Sequence, residues 1–163
     1  MKMDLILWRH AEAIAVAEKQ MGSAPSAGSD MERALTAKGE KQAAKIGAWL
    51  DRQLPERTRI LVSPARRCEQ TALAIGRKYK LKPELGPQET SARLLELIEW
   101  PHAKTPVLVI GHQPVLGQVV TQLLGLAGGE CVVKKGSVWW LRSRYWQGEY
   151  TASVVSVQSP ETL

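Results

Sequence analysis

The stretch Val107-Leu108-Val109-Ile110-Gly111-His112-Gln113-Pro114 decides the fold. Its apolar run is continuous rather than alternating, as in a strand buried on both faces of a parallel sheet. Pro114 then predicts a helix start, Val115-Leu116, Val119-Val120 and Leu123-Leu124 recur at helical spacing, and Gly125 predicts the stop. Two further runs read the same way, Leu5-Ile6-Leu7-Trp8 and Ile60-Leu61-Val62. After the second, Ser63-Pro64 predicts an N-cap and a first helical residue, opening a helix that reaches about Tyr79. After the first, and at a distance, Thr36 predicts the cap of a helix with apolar positions Ala43, Ala44, Ile46, Gly47 and Leu50, ended before Pro55. A further helix is expected from about Glu89 to Trp100, closed by Pro101. Strands alternating with helices imply right-handed crossovers and an α/β domain.

The last third changes character. Ser137–Arg144 and Tyr150–Val157 are rich in Val, Trp and Tyr and flank Gln147-Gly148, which predicts an antiparallel hairpin, placed at one edge of the sheet. Met21–Asp30 is loaded with Gly, Ser, Ala and Pro and is expected to form an exposed loop. At 163 residues the chain is expected to be one domain, residues 1–163. Charged residues at 23% and hydrophobic ones at 44% exclude fibrous and disordered classes. The net charge of +6 favours anionic partners. The longest unbroken apolar run, Ala13–Ala17, is far short of the ~18 residues of a membrane span. An acid at Asp4, directly before the first apolar run, argues against a signal peptide. Two cysteines, Cys68 and Cys131, are too few for a disulfide scaffold, and a cytoplasmic location is expected.

The chemistry lies in where the histidines and arginines fall. Arg9 and His10 follow the first strand, Arg66 and Arg67 open the helix after the second, and His112 follows the strand ending at Ile110. In an open parallel sheet the carboxyl ends of the strands line one crevice, where ligands bind beside helix N-termini. Three separated segments thus converge on one rim as an anion site, and phosphate is the expected anion. Neighbouring residues of a strand face opposite ways, so the first strand is expected to end near Trp8, allowing Arg9 and His10 to project together. His102, after Trp100-Pro101, reads as a surface histidine. Cys68 reads as a buried packing residue.

These residues carry a resemblance. Arg9-His10 after a hydrophobic strand resembles the "RHG" signature of the histidine phosphatase superfamily. Asp30-Met31-Glu32-Arg33-Ala34-Leu35-Thr36 with Gly39 and Gln42-Ala43, then Ser63-Pro64-Ala65-Arg66-Arg67-Cys68-Glu69-Gln70-Thr71, then Val109–Pro114, are similar to three further family motifs in the same order. The short chain and the Asp30–Thr36 segment look most like the SixA-type phosphohistidine phosphatases. The resemblance implies a phosphoglycerate mutase-like fold, a three-layer α/β/α domain with a mostly parallel central sheet. It implies that His10 is the nucleophile and forms a phosphohistidine intermediate, with Arg9, Arg67 and His112 holding the phosphoryl oxygens, and Gln113 is expected to bind the phosphate with them. It implies no metal and no other cofactor. Neutral imidazole suits the nucleophile's part, since its ordinary pKa is about 6.5, and guanidinium forks suit phosphate oxygens.

Two positions depart from the pattern. Ala11 replaces the usual glycine, and the acid-bearing motif of the mutase branch is not recognisable, leaving Glu12, Glu84 and Glu89 unassigned. An alkoxide leaving group needs a general acid, whereas phosphohistidine leaves as imidazole, which solvent can protonate. The missing acid therefore favours a phosphorylated protein, carrying phosphohistidine, as substrate. A phosphatase of small metabolite or nucleotide phosphomonoesters would share the same pocket. A nucleic-acid-binding module is a third reading, carried by the basic Arg77–Lys82 and the Trp- and Arg-containing Trp139–Trp146. A solvated helix end and strand tryptophans packed on the sheet account for both more simply.

Overall fold

The computed structural model describes residues 2–15, 30–129 and 131–163. Of the Gly- and Pro-rich segment Met21–Asp30, all but Asp30 lies outside the described residues. Among the described residues the three expected runs form strands β1 (Asp4–Arg9), β2 (Arg59–Val62) and β4 (Val107–Gly111). A short strand β3 (Lys80–Leu81) and the hairpin strands β5 (Val138–Trp146) and β6 (Glu149–Gln158) complete one sheet, in the order β3-β2-β4-β1-β5-β6. Strands β3, β2, β4 and β1 run parallel, β5 is antiparallel to β1, and β6 is the hairpin edge.

Among the described residues these helices cover the two faces: α1 (Ala37–Gln53), α2 (Arg66–Leu73), α3 (Ser91–Leu97) and α4 (Val115–Leu124). Alternate strand residues sort between them. Ile6, Trp8, Ile60, Val62, Leu108 and Ile110 pack with Ile46 and Leu50 of α1 and Cys68 and Ala72 of α2. Leu5, Leu7, Leu61, Val107 and Val109 pack with Leu94 of α3 and Leu116, Val119 and Val120 of α4. Fully burying each such aliphatic side chain contributes roughly 1.5–3 kcal/mol. The expected three-layer α/β/α arrangement is therefore two cores either side of one sheet.

Several boundaries differ from expectation, each for a local reason. Strand β1 runs through Arg9, one residue beyond the expected end near Trp8, because the Arg9 amide is held by the Ser137 carbonyl (3.0 Å). The helix after Ser63 ends at Leu73 rather than near Tyr79; Gly76 takes a positive φ of 75° and the basic segment turns into β3. Ser63 does not cap that helix; the cap residue is Ala65. Pro114 likewise stands at the cap of α4 rather than inside it. Thr36 caps α1 as expected, accepting from the Gly39 amide, but Ala44 is exposed and Gly39 is buried in its place. The helix expected from Glu89 to Trp100 is confined to Ser91–Leu97: the Thr90 side chain caps its start by accepting from the Arg93 amide, and beyond its end Glu99 takes a positive φ of 57°. In the Trp-rich stretch Trp140 is buried against α1's Trp49, and Arg142 is tied to Asp4 (2.6 Å). No described helix is long and apolar enough to cross a membrane.

Candidate active site

Register brings the sequence-predicted residues together. Arg9 lies level with Gly111, and the His10 amide donates to the Gly111 carbonyl (3.2 Å). Beyond β2, the Ser63 amide donates to the Ile110 carbonyl (3.0 Å). The carboxyl ends of β1, β2 and β4 therefore deliver His10, Ser63 and His112 to one rim, with the two imidazole centroids 5.4 Å apart. Arg67 enters from the first turn of α2. A cavity of about 310 Å³ is lined by Arg9, His10, Ala13, Arg33, Arg67, Pro87, His112, Gln113 and Lys135.

The turn after β1 is pinned from two sides. The Ala11 amide donates to Thr71 Oγ1 (3.1 Å), and that hydroxyl donates to the Arg67 carbonyl (2.7 Å), joining the turn to α2. The Glu12 carbonyl accepts from the Thr36 amide (3.0 Å), joining it to the start of α1. Ala11 is not among the residues with positive φ, so a side chain in place of the family glycine strains nothing.

The protons on both imidazoles follow from their partners. His10 Nδ1 lies 2.7 Å from the Ala11 carbonyl, which can only accept, so Nδ1 carries the hydrogen. The Nε2 lone pair is left free of it and receives a long bond from Arg67 Nε–H (3.4 Å). Burial lowers the His10 pKa to about 4, with Arg67, Arg9 and Arg33 adding to the drop against the opposing effect of the Ala11 bond. His112 Nδ1 faces a guanidinium nitrogen of Arg67 (3.3 Å), which can only donate, so its hydrogen sits on Nε2 and is given to Ser63 Oγ (2.8 Å). Ser63 Oγ also accepts from the Ala65 amide (3.2 Å). Burial, then Arg67, His10, Arg9 and Arg33, lower the His112 pKa to about 2. Both rings are neutral near pH 7.

The arginines are oriented by oxygens. Arg67, 3% exposed, donates to the Asp30 carbonyl (2.9 Å) and to Asp30 Oδ2 (3.3 Å). Arg9 donates through Nη1 to the Val133 carbonyl (3.0 Å), while its buried Nε has no protein partner among the described residues. Burial first and Arg67 second lower the Arg9 pKa from its ordinary value. Guanidinium groups gathered without a matching number of carboxylates are built to take a tetrahedral oxyanion.

The family model "Histidine phosphatase superfamily (branch 1)" matches residues 5–96, more than half of the chain. The chain belongs to the histidine phosphatase superfamily. It is 30% identical over 139 residues to the phosphohistidine phosphatase SixA homolog of Haemophilus influenzae, covering 76% of this chain and 78% of that protein. It is 34% identical over 131 residues to the phosphohistidine phosphatase SixA of Escherichia coli, covering 74% of each. A solved structure of the protein histidine phosphatase SixA complexed with tungstate superposes with a TM-score of 0.70 at 26% identity, over 97% of both chains. The histidine phosphatase described here is thus a hydrolase of the SixA type. His112 lies beyond the matched residues, and its place in the site comes from the β1–β4 register.

The remaining residues of this phosphatase sort by geometry. Gln113 lines the cavity and its carboxamide is held in place: Oε1 accepts from the Gly117 amide (2.7 Å) and Nε2 donates one hydrogen to the Cys131 carbonyl (3.1 Å), leaving the second. Gly117 permits that contact, since a Cβ there would lie 1.9 Å from the Cys131 carbonyl oxygen. Arg66 is exposed and outside the lining. None of the three unassigned acids lines the cavity. Glu12 accepts from Thr36 Oγ1 (2.8 Å), and Glu84 and Glu89 border a separate small recess that His112 also lines. His102 is exposed, edge-on to Tyr150 (centroids 5.1 Å). Cys68 is buried, and burial pushes its thiol up to about 12 despite Arg67. Sequence reasoning missed Ser63 as the partner of His112, Asp30 as the partner of Arg67, and the lining residues Arg33, Pro87 and Lys135. Asp30 and Arg33 had a signal, in the Asp30–Thr36 motif; Lys135 had none.

Proposed function

We propose that this phosphatase hydrolyses phosphohistidine on protein substrates through a phosphoryl group carried transiently on His10. The observation that carries the reading is the His10 tautomer: the Ala11 carbonyl holds the Nδ1 hydrogen, so the Nε2 lone pair stands among Arg9, Arg67 and His112. In the first step Nε2 attacks phosphorus, the phosphorus–nitrogen bond of the substrate breaks, and the departing imidazole takes a proton from solvent. In the second step water attacks phosphorus, the bond to His10 Nε2 breaks, and inorganic phosphate leaves with the water's second proton lost to solvent. Arg67 exchanges its long bond to Nε2 for a phosphoryl oxygen, and Arg9 Nε finds its partner there. An entering dianion reverses the electrostatics at His112, favouring a second ring proton on Nδ1 that donates to the phosphoryl group. Phosphoryl transfer needs little beyond such positioning and charge neutralisation, and Arg9 and Arg67 supply it without a metal.

The leaving group favours phosphohistidine over phosphomonoesters. An alkoxide needs a proton from a positioned acid, worth typically ~10²–10⁴-fold; Glu12, Glu84 and Glu89 are all outside the cavity, and the Asp30 carboxylate is taken up by Arg33 and Arg67. Both cysteines are free, which suits a cytoplasmic enzyme. The test is a substrate profile with and without a chelator. Phosphohistidine peptides are expected to turn over faster than phosphoserine peptides and small phosphomonoesters, at a rate the chelator leaves unchanged. Equal rates, or a preference for phosphoserine or a small ester, overturn the substrate assignment.

A further inference from the structure

The cavity holds more positive charge than a phosphoryl group uses. Arg9, Arg33, Arg67 and Lys135 line it, and Asp30 is the carboxylate that bonds to two of them, at 3.1 Å from Arg33 and 3.3 Å from Arg67. With both imidazoles neutral the balance is three positive charges. A phosphoryl group carries close to two negative charges at pH 7, its second pKa being about 6. At least one positive charge remains among the described residues, more once His112 takes its second ring proton, and the contacts say which cation is unanchored. Arg67 and Arg33 are anchored on Asp30, Arg33 also on the Ile14 carbonyl (3.0 Å), and Arg9 on the Val133 carbonyl (3.0 Å). Lys135 is exposed, and it has no hydrogen bond or ion pair among the described residues.

Its backbone is held in place relative to the nucleophile. The Gly136 amide donates to the Arg9 and His10 carbonyls (3.1 and 3.0 Å), the Gly136 carbonyl accepts from Trp8 Nε1 (3.1 Å), and the Arg9 amide donates to the Ser137 carbonyl (3.0 Å). Gly136 takes a φ of +72° to make that turn. Lys135 is therefore fixed at the mouth, next to the group that would be phosphorylated and free to meet a second anion beside it.

We propose that Lys135 forms a subsite for a carboxylate that flanks the phosphohistidine in the protein substrate. The assignment rests on the phosphohistidine reading above. A rim ion pair of this exposure is worth up to ~1 kcal/mol, about fivefold in a binding constant, and it weakens with salt.

The test compares two phosphohistidine peptides, one with Asp or Glu beside the modified residue and one with Ala there. The wild type is expected to favour the acidic peptide by about fivefold in kcat/KM, through KM, with the preference lost at high salt. Lys135→Ala should bring the ratio of the two peptides to about one, Lys135→Glu below one, and Lys135→Arg should retain it. A wild-type ratio near one, or a ratio that Lys135→Glu leaves unchanged, overturns the subsite while leaving the phosphohistidine reading intact. A Lys135→Ala variant that loses activity equally on both peptides also overturns it, since the lysine would then serve the phosphoryl group. An aryl phosphate and its ring-carboxylated analogue form the second pair. If the peptides are not hydrolysed but the carboxylated ester is favoured in a Lys135-dependent way, the substrate reading fails and the carboxylate subsite stands.

Discussion

Holding His10 neutral has a measurable thermodynamic consequence. Burial takes its pKa from 6.5 to about 4. In the unfolded chain the ring binds a proton near 6.5, whereas in the folded protein it stays unprotonated down to about pH 4. The unfolded state therefore binds more protons through this window, and stability is present above 6.5 and lost as the pH falls toward 4. For one group with these two values the loss between about pH 7.5 and about pH 4.5 is on the order of 2–3 kcal/mol. His112, held at about 2, and the carboxylates add their own acid losses, which largely cancel between two proteins that differ only at residue 10. The assay is urea unfolding followed by tryptophan fluorescence at the two pH values, for the wild type and for His10→Gln. The wild type should lose on the order of 2–3 kcal/mol more than the variant over that interval. Equal losses would show that His10 titrates normally in the folded protein and would refute the reasoning on its tautomer and burial.

Other perturbations follow from particular contacts. Arg67→Lys removes the guanidinium that touches His10, His112 and Asp30 at once, and kcat should fall by about 10²-fold or more in a steady-state assay, as for other lost charge-stabilising donors; a fall of less than tenfold would contradict a bidentate role. Ser63→Ala leaves the His112 Nε2 hydrogen and the Ala65 amide without their shared acceptor in a buried site, costing about 1–3 kcal/mol in chemical denaturation, and an unchanged midpoint would count against that bond. Gly117→Ala drives a Cβ to 1.9 Å from the Cys131 carbonyl oxygen and should lower stability by roughly 1–3 kcal/mol, as overpacking does. A native thiol titration should find Cys68 unreactive, its pKa pushed up to about 12 within a buried site, and fast modification there would show that α2 opens readily.

The rim of the candidate site was legible because its strands are central. Leu5–Trp8, Ile60–Val62 and Val107–Ile110 are covered on both faces and so read as continuous apolar runs, which located His10, Arg67 and His112 at their ends. Strand β3 escaped because it is an edge strand: Lys80 is exposed and Leu81 is 43% exposed, so its residues carry no apolar signature and their basic pattern read as the end of a helix. Ser63 looked like a helix cap by type, but its hydroxyl is taken by a histidine 49 positions away, a contact set by the β2–β4 register. Gln113 was expected at the phosphate and lines the cavity, but nothing in the sequence signalled that the amide of Gly117, four residues on, holds its oxygen. Lys135 could not be found from its neighbours, because the bond that fixes its turn joins Trp8 to Gly136 across 128 positions of sequence. What remained hidden in each case was a long-range partner rather than a local preference.

The account stands on His10 Nε2 as the atom that receives the phosphoryl group. Brief incubation with a radiolabelled phosphohistidine protein, an alkaline quench and peptide mapping reads this directly. The wild type should carry base-stable, acid-labile label on the peptide containing His10, and His10→Ala should carry none. Label that survives acid, maps to Ser63 or Cys68, or persists in His10→Ala would contradict it.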